Sequence, residues 1–416
     1  MTHEAAPAVL LVDPVRYGAG YKDAVRELGF TVLSVYTLDY STGTPDHDAG
    51  DDVTLYASER AGIVSKVEAT GLSVVAVVPA VEGSVYVADL LSQDLGVPGN
   101  DHGLAWARRN KAAMRARAVE AGVTVPRFQL VRSVAELPEA VRAIGFPAIV
   151  KPTMGSCSQG TTVVSDEPSL SRLAALDTHD FFGQPITEWL VEEYVRGREV
   201  AVNCYSADGG HRVVDMWEYR QPDGRDYDFP VWETLQLDES HPQWERLQSY
   251  VHQVLDAYGV AIGPSHTEVK FNHEGVYLME IGARQPGGPA MELWSRYSED
   301  IRPFRDSVEC YLGRRPSLMD ARPRFSAALG SLILRNDDAP GRLVAVHGLD
   351  KLADVPGIDK LMVDCAPGDL IPTTRDSTAI PLSAYVVGPD PATVLGTLAT
   401  IRSLVTLEID RASGAN

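Results

Sequence analysis

The first hundred residues alternate between short apolar runs and segments with helical periodicity. The apolar runs predict buried parallel strands at Ala8–Asp13, Thr31–Tyr36 and Val74–Pro79, and the periodic segments predict helices at Lys22–Leu28 and Val87–Leu95. A strand that is followed by a helix and another strand is typical of a doubly wound sheet. The pattern therefore predicts a small N-terminal α/β domain over residues 1–110.

The loops of this domain carry little recognisable chemistry. The first loop lacks the full G-x-G-x-x-G sequence, which argues against a dinucleotide site there. Glu82 and Gly83 follow the third strand at its carboxyl end, where ligands collect in sheets of this kind. An ordinary loop is nevertheless the interpretation that we favour for Glu82.

A phosphate-binding loop is predicted after the next group of elements. Lys111 lies near the start of a strongly helical segment, NKAAMRARAVEAG, and a later buried strand, Pro147–Lys151, runs directly into KPTMGSCSQG. Small residues expose backbone N–H groups, hydroxyls add donors, and the lysine supplies positive charge, so this arrangement suits phosphate. It is not a Walker A loop. The alternative is a flexible surface loop after a strand.

Two later runs predict an antiparallel hairpin that carries paired carboxylates. A run that ends near Phe271 and the run Val276–Ile281 are separated by Asn-His-Glu-Gly. With the turn centred near Glu274, Glu268 and Glu280 would lie roughly opposite each other on one face. Paired carboxylates on a half-buried sheet need a cation between them, and Mg²⁺ with substrate phosphates fits that need. A hairpin with two surface glutamates is the alternative. Arg284 follows four residues after Glu280, and the Gly287-Gly288 pair would let the backbone approach a ligand closely.

Other segments give weaker indications. The strand Leu190–Tyr194 carries Glu192 and Glu193, and these with Glu199 could hold adenine and ribose, although such pairs are usually solvated strand faces. Val214–Leu235 has no clear regular pattern, many aromatic residues and a PDGRD turn, which is expected of a lid over a small polar substrate. After Leu312 the chain is predicted to be α+β. The elements predicted there are strands near Ala327–Leu334, Leu343–His347 and Leu382–Val387 and a helix at Pro391–Leu404.

Composition narrows the class of protein. At 416 residues the chain is expected to form two to four domains. Its formal net charge of −20 argues against nucleic acid or an anionic membrane as a partner. Four widely spaced cysteines, with no signal peptide or long apolar run at the N-terminus, predict a cytoplasmic protein without a zinc site.

Taken together, the motifs resemble those of the ATP-grasp ligases. They occur in the expected order: Lys111, then K151-P-x-x-G-S-x-S-x-G160, then E192-E-Y-V-x-G-x-E199, then E268 and E280-I-G-A-R284-x-x-G-G288. PAVEGSVYVADLLSQDLGVPGN and the hundred residues after Leu312 resemble the L-amino-acid ligase branch, which includes the alanine–anticapsin ligases. The resemblance implies an ATP-grasp fold with an N-terminal preATP-grasp domain (1–110), an ATP-grasp domain (111–315) and a C-terminal α+β domain (316–416).

The resemblance also implies a role for each motif residue. Lys111 and Lys151 would hold the phosphates of ATP under a flexible loop that contains Ser156, Ser158 and Gly160. Glu192, Glu193, Tyr194 and Val195 would line the adenine pocket, largely through their backbone, and Glu199 would bind the ribose. Glu268 and Glu280 would hold Mg²⁺, which Mn²⁺ could replace. Arg284 would be the catalytic residue, steadying the carboxylate, the transferring phosphoryl group and the oxyanion, near Gly287 and Gly288.

Two departures from the family pattern affect the metal and the substrate. The position two residues after the second glutamate, usually an asparagine that binds metal, is Gly282, so the number of metals is open. The family's E-T-x-H motif is Glu233-Thr234-Leu235-Gln236 here. Glu233 would still meet a substrate ammonium group, since the other charged groups are assigned to phosphate. His266 is a second candidate substrate residue or a structural histidine.

The implied activity is ATP-dependent ligation of an amino-acid donor to an amine acceptor through an acyl phosphate, in specialised metabolism. An ATP-grasp enzyme with another nucleophile and an inactive nucleotide-binding protein are the alternatives. The partners are then small molecules, and the chain could also form a homodimer.

Overall fold

The computed structural model describes residues 6–41, 43–180, 185–222 and 226–411. Its N-terminal part contains β1 (Pro7–Val12), α1 (Tyr21–Glu27), β2 (Thr31–Tyr36), β3 (Val53–Tyr56), α2 (Arg60–Ala69), β4 (Ser73–Pro79) and α3 (Val85–Asp94). All pairings in this sheet are parallel, and the strand order is β3-β2-β1-β4. The doubly wound sheet predicted from the apolar runs is confirmed.

A small antiparallel sheet follows. The elements are α4 (Lys111–Glu120), β5 (Phe128–Val131), α5 (Leu137–Ile144), β6 (Ala148–Pro152), β7 (Thr162–Val164) and β8 (Trp189–Glu193). The strand order is β5-β8-β6-β7, and α5 packs on one face of the sheet through Val141 against Val150 and Val191. The side chain of Asn110 caps α4 by accepting from the N–H groups of Ala112 and Ala113, both at 3.0 Å, so Lys111 is the first residue of the helix.

The remaining chain builds one long antiparallel sheet and a smaller one. The elements are β9 (Arg198–Ala207), β10 (Gly210–Arg220), β11 (Glu233–Leu237), α6 (Trp244–Ala257), β12 (Gly263–Phe271), β13 (Val276–Gly282), α7 (Ala290–Tyr297), α8 (Pro303–Tyr311), β14 (Ala328–Leu334), β15 (Gly341–His347), β16 (Ile358–Val363), β17 (Leu370–Ile371), β18 (Leu382–Gly388), α9 (Pro391–Leu404) and β19 (Thr406–Asp410). Eight strands pair in the order β13-β12-β9-β10-β11-β14-β18-β16, and three more in the order β17-β15-β19. The predicted hairpin is β12–β13, and Glu268 lies directly opposite Glu280 in it.

The prediction that Val214–Leu235 lacks regular structure is wrong at both ends of the stretch. Val214–Arg220 lies in β10 and Glu233–Leu235 lies in β11, and these strands pair with each other in the middle of the long sheet. Both faces of β10 are covered, so its polar residues do not alternate with apolar ones in a recognisable pattern. Residues 223–225, the centre of the predicted PDGRD turn, lie outside the described residues.

Helices on both faces of the long sheet hold the domains together. α6 packs through Leu247 and Val251 on one face, and α7 and α8 cover the other. Val308 and Tyr311 of α8 also pack under the N-terminal sheet, against Val9 and Leu11. This contact brings the carboxyl end of β4 close to the end of β13. Among the described residues, no helix has the length and apolar character that crossing a membrane requires.

The long sheet runs across the predicted domain boundary between residues 315 and 316. β14, β18 and β16 continue the sheet that β9 to β13 begin. The three predicted domain ranges remain a proposal about folding units.

Candidate active site

A cavity of about 470 Å³ lies between the small antiparallel sheet and the long sheet. Its walls combine most of the residues that the motifs single out, although they come from widely separated segments. The predicted site residues that line the cavity are Lys111, Lys151, Ser156, Ser158, Tyr194, Glu199, His266, Glu268, Glu280, Arg284, Gly287 and Gly288. The predicted site residues that do not line it are Gly160, Glu192, Glu193, Val195 and Glu233.

Lys151 is held at the cavity wall by a buried ion-pair network. Its Nζ lies 2.6 Å from Oε2 of Glu192, whose other oxygen accepts from Arg115, a fully buried residue on α4. Burial alone would raise the pKa of Glu192, but Arg115 and Lys151 outweigh it and hold that pKa at about 2. Burial, assisted by Arg115, lowers the pKa of Lys151. Glu192 therefore serves as an anion that orients Lys151, which differs from its predicted place in the adenine pocket.

Arg115 was not predicted as a site residue, although the sequence contains a signal for it. Arg115 follows Lys111 by four residues on α4, so the two side chains share one face of the helix. Lys111 Nζ lies 3.0 Å from Oε1 of Glu280 and 3.4 Å from the carbonyl oxygen of Gly155. One helix face thus supplies two cations to the site.

The loop after β6 has the backbone shape of a ligand-binding loop. Cys157 and Ser158 adopt positive φ angles of 61° and 62°, which non-glycine residues rarely do. At Gly160, with φ of 70°, an added Cβ would lie 2.9 Å from Pro152 Cγ, so this glycine permits the loop to fold back on β6. The N–H of Ser377 donates to the carbonyl oxygen of Cys157 at 3.2 Å, which ties the loop to the C-terminal segment.

Another part of the cavity wall has the features expected of a nucleoside pocket. The Nζ of Lys270 lies 4.7 Å from the ring centre of Tyr194 and 3.4 Å from Oε2 of Glu199. Glu193 is paired with Arg127 at 2.7 Å, away from the cavity, because successive residues of β8 point to opposite faces. Of the four consecutive residues predicted to line the adenine pocket, Tyr194 alone reaches the cavity.

Glu268 and Glu280 form an acidic pair on the cavity wall. The hydroxyl of Tyr219 donates to Oε1 of Glu268 at 3.1 Å. Burial would raise the pKa of Glu268, but hydrogen bonds from His266 and Tyr219 and the charge of Arg284 outweigh it, so the pKa lies below its ordinary value. An ionised carboxylate opposite Glu280 suits a divalent cation that takes its other ligands from nucleotide phosphates. Within the described ranges no group of three or more acidic, histidine or cysteine side chains could hold a metal without such help.

Arg284 is fixed by a residue of the N-terminal domain. Its Nε donates to Oε2 of Glu82 at 2.6 Å, and its Nη1 donates to the carbonyl oxygen of Gln285 at 2.8 Å. Burial would raise the pKa of Glu82, but Arg284 outweighs it and the pKa is lowered. The interpretation of Glu82 as part of an ordinary loop is therefore wrong. Gly282 makes room for the pair, since a Cβ there would lie 3.0 Å from Glu82 Oε2 and 3.3 Å from Arg284 Cζ.

Comparisons with known proteins agree with this geometry. The ATP-grasp domain family matches residues 144–292, and the family described as L-amino acid ligase C-terminal domain 2 matches residues 337–410. The chain is an ATP-grasp ligase of the L-amino acid ligase type.

Individual relatives align with most of the length of this ligase. It is 26% identical to dapdiamide A synthase of Enterobacter agglomerans over 95% of each chain. It is 22% identical to the L-arginine-specific L-amino acid ligase of Bacillus subtilis over 73% of its own chain and 72% of that one. Its fold matches the crystal structure of an L-amino acid ligase from Bacillus licheniformis with a TM-score of 0.74, covering 98% of this chain and 100% of that one at 14% identity.

Glu233, which was predicted to meet a substrate ammonium group, does not line the cavity. The premise that this carboxylate is unpaired is wrong, because Oε1 accepts from Arg220 at 3.1 Å and Oε2 accepts from Arg402 of α9 at 2.5 Å. Thr234, the next residue of β11, does line the cavity, so alternation along the strand directs Glu233 to the other face. Within the described residues, the other carboxylates that line the cavity also have polar partners.

Behind the part of the cavity wall that Asn203 and Trp217 form, the ligase buries a carboxylate that was not predicted from the sequence. Asp215 accepts hydrogen bonds from Asn203, Trp217, Gln236 and Trp294, and the described part of the chain gives it no cation as a partner. Gln236, which stands where the family motif has histidine, faces this carboxylate and does not line the cavity. Burial raises the pKa of Asp215, and the four hydrogen bonds oppose that shift. A charged residue between the apolar pairs Val213-Val214 and Met216-Trp217 was the available signal.

Proposed function

We propose that this ligase joins the carboxylate of an amino acid to an amine through an acyl phosphate, converting ATP to ADP and phosphate. The single observation that carries the proposal is the layout of the cavity. Lys111, Lys151, the Glu268–Glu280 pair and Arg284 all line this cavity. A nucleotide and a carboxylate could therefore meet inside one enclosed space.

The reaction mainly requires neutralisation of the negative charge that develops during phosphoryl and acyl transfer. A carboxylate oxygen of the donor attacks the γ-phosphorus, the bond between the β–γ bridging oxygen and the γ-phosphorus breaks, and ADP leaves. The amine then attacks the acyl carbon and loses a proton, and the bond from that carbon to the phosphate oxygen breaks. Negative charge develops first on the phosphoryl oxygens and then on the carbonyl oxygen, so fixed cations stabilise both transition states.

In this proposal each cation has its own charge to neutralise. Lys111 and Lys151 bind phosphate oxygens of ATP, under the loop of Ser156, Ser158 and Gly160. Arg284, held by Glu82, faces the reacting carboxylate and the oxyanion, with the Gly287-Gly288 backbone beside it. Mg²⁺ at Glu268 and Glu280 would screen the charge between nucleotide and carboxylate. Tyr194 borders the adenine, and Glu199 receives the ribose hydroxyls.

We further propose that the product belongs to specialised metabolism and not to protein synthesis or nucleotide metabolism. Support comes from the C-terminal match to L-amino acid ligases and from the full-length relative named dapdiamide A synthase. The donor is an amino acid and the acceptor a second small amine.

A screen tests the proposal. Wild-type protein is incubated with ATP, Mg²⁺ and each of the twenty proteinogenic amino acids as donor, with hydroxylamine or a second amino acid as the nucleophile. The proposal expects ADP, phosphate and a hydroxamate or dipeptide to appear together for some donors. Release of ADP that depends on bicarbonate or a carrier protein instead would support an ATP-grasp enzyme with another nucleophile. ATP binding with no turnover would indicate an inactive nucleotide-binding protein.

A further inference from the structure

Arg335 binds two distant segments of the chain that both line the cavity. It follows directly after β14, and its side chain is only 4% exposed. Nη1 donates to the carbonyl oxygens of Phe229 at 2.5 Å and Val231 at 2.9 Å. Nη2 donates to the carbonyl oxygen of Thr374 at 3.2 Å. One guanidinium group therefore holds backbone from before β11 and backbone from after β17.

The flat faces of the same guanidinium contact aromatic rings. Cζ of Arg335 lies 3.7 Å from the ring centre of Trp232 and 5.2 Å from that of Phe229, and Nε donates to Oδ1 of Asp337 at 3.0 Å. A planar guanidinium can stack on rings while its N–H groups donate in the plane, and the ammonium group of a lysine cannot do both. The contacts therefore depend on arginine and not only on positive charge.

The two segments, residues 227–231 and 374–380, are called the cover segments here. All of residues 227–231 line the cavity, and so do Ser377 and Ile380. The N–H of Ser377 donates to the carbonyl oxygen of Cys157 in the phosphate-binding loop at 3.2 Å. The cover segments thus meet the loop that is proposed to bind the phosphates of ATP.

The cover segments join the long sheet in a largely apolar wall. The N–H of Ile333, a residue of β14, donates to the carbonyl oxygen of Trp232 at 2.9 Å, so Ile333 lies beside the first cover segment. Successive residues of a strand face opposite sides, and Ile333 therefore shares its face with Ser331, which also lines the cavity. The apolar residues of this wall are Phe229, Pro230, Val231, Ile333 and Ile380.

The polar groups of the same wall have partners within the protein. The hydroxyls of Thr234 and Ser331 bond each other at 2.8 Å. Oδ1 of Asp228 accepts from the N–H of Val163 at 2.7 Å, and its Oδ2 accepts from Arg172. A charged substrate side chain at this wall would lose water and gain no counter-charge from these groups, whereas an apolar side chain would gain contact.

We propose that Arg335 is a positioning residue that holds the cover segments as an apolar wall, and that this wall selects an amino-acid substrate with an apolar side chain. Arg335 does not itself line the cavity, so it acts through the segments that it binds. The inference rests on the proposed ligase function and names the substrate class that the site takes.

The assay separates the two substrate positions. ADP release is measured with alanine, leucine, methionine, aspartate and lysine as donors, with hydroxylamine as nucleophile. The same five amino acids are then compared as acceptors, with the best donor of the screen held constant. Leucine and aspartate are similar in size, as are methionine and lysine, so each pair compares apolar with charged side chains.

Three variants test the wall and the residue that holds it. Arg335→Lys keeps the charge beside Asp337 but loses the planar set of contacts. Val231→Ala shortens the wall directly and leaves the backbone carbonyl group that Arg335 binds. Arg342→Lys is the matched control, because Arg342 also donates to a carbonyl oxygen, that of Gly368 at 2.9 Å, and neither residue lines the cavity.

In at least one position, the wild type should use leucine and methionine at least about tenfold better than aspartate and lysine. Leucine should also be used better than alanine there. Arg335→Lys and Val231→Ala should each lower the ratio of kcat/KM for leucine to that for alanine by at least about fourfold, the contribution of one buried methylene. Arg342→Lys should leave that ratio, and all three variants the KM of ATP, within about twofold of the wild type.

Three results would overturn the proposal: a wild-type preference for charged side chains or no preference in both positions, an unchanged leucine-to-alanine ratio in Val231→Ala, or an equal change in Arg342→Lys and Arg335→Lys. A raised KM for ATP without a change in that ratio would also overturn it, because the wall would then contact the nucleotide. Should Arg335→Lys not fold, Val231→Ala still decides. Failure of the wild type to release ADP with any amino acid would instead overturn the proposed function, and this inference with it.

Discussion

Gly282 offers a sharp test of how the reacting end of the site is built. We predict that Gly282→Ala lowers activity because the new Cβ meets the Glu82–Arg284 ion pair. The contacts would be 3.0 Å to Glu82 Oε2 and 3.3 Å to Arg284 Cζ, both tighter than an ordinary van der Waals contact. The backbone of Gly282 has an ordinary φ, so the effect comes from the contact and not from backbone strain.

The expected size follows from the interaction at risk. A charge-assisted hydrogen bond of this kind contributes about 1.5–3 kcal/mol, so weakening it should lower kcat/KM by about 10- to 100-fold. Gly282→Asn, which restores the residue usual in the family, should lose at least as much. Phosphate release with the best amino-acid donor is the assay.

Gly275→Ala is the matched control, since that glycine lies in the same hairpin and a Cβ there would meet nothing closer than 3.5 Å from Tyr277. The double variant Gly282→Ala with Glu82→Gln should lose less kcat/KM than the product of the two single losses, because both substitutions act on the same ion pair.

The reasoning would be refuted if Gly282→Asn kept its kcat and lowered the Mg²⁺ concentration needed for half-maximal activity. The side chain at position 282 would then act as a metal ligand.

Three other substitutions test separate parts of the account. Lys151→Ala should weaken ATP binding measured by calorimetry, because it removes a cation from the phosphates, whereas unchanged affinity would contradict its role. Glu280→Gln should keep the fold by circular dichroism and lose Mg²⁺-dependent turnover, and near-normal activity at modest Mg²⁺ would remove the metal assignment. Glu192→Gln should destabilise the protein by about 3–5 kcal/mol in urea unfolding, because it leaves Arg115 buried without a counter-ion. The pKa of Glu192 is about 2 in the folded protein, below its ordinary value of 4.5, so the wild-type advantage should persist above pH 4.5 and shrink as the pH falls toward 2. A pH-independent difference would contradict the pairing.

Local patterns in the sequence were sufficient for the parts of the site that are local in the fold. Both strands of the β12–β13 hairpin and its short turn are visible in the sequence, and a β-bulge between Glu268 and Val269 then brings Glu268 opposite Glu280. Lys151 ends a buried strand and begins a loop of small residues, which is again a local feature. The βαβ pattern of the N-terminal domain is likewise a local feature of the sequence.

The errors concern contacts between distant segments. Glu82 and Arg284 are 202 positions apart, and Glu233 and Arg402 are 169 apart. Hydrophobic periodicity predicts which face of a strand is buried, but it does not predict which charged residue of another domain will meet that face. Glu192 and Glu233 were therefore assigned to ligands, whereas the fold gives each of them two cationic side chains as partners.

The central claim is that a donor carboxylate is phosphorylated before the amide forms, and isotope transfer tests it most directly. The donor amino acid is prepared with ¹⁸O in both carboxylate oxygens and turned over with ATP, Mg²⁺ and an amine, and the phosphate is analysed by mass spectrometry. The account predicts ADP together with phosphate that carries one ¹⁸O atom per amide formed. Unlabelled phosphate, or AMP that carries the label, would contradict it.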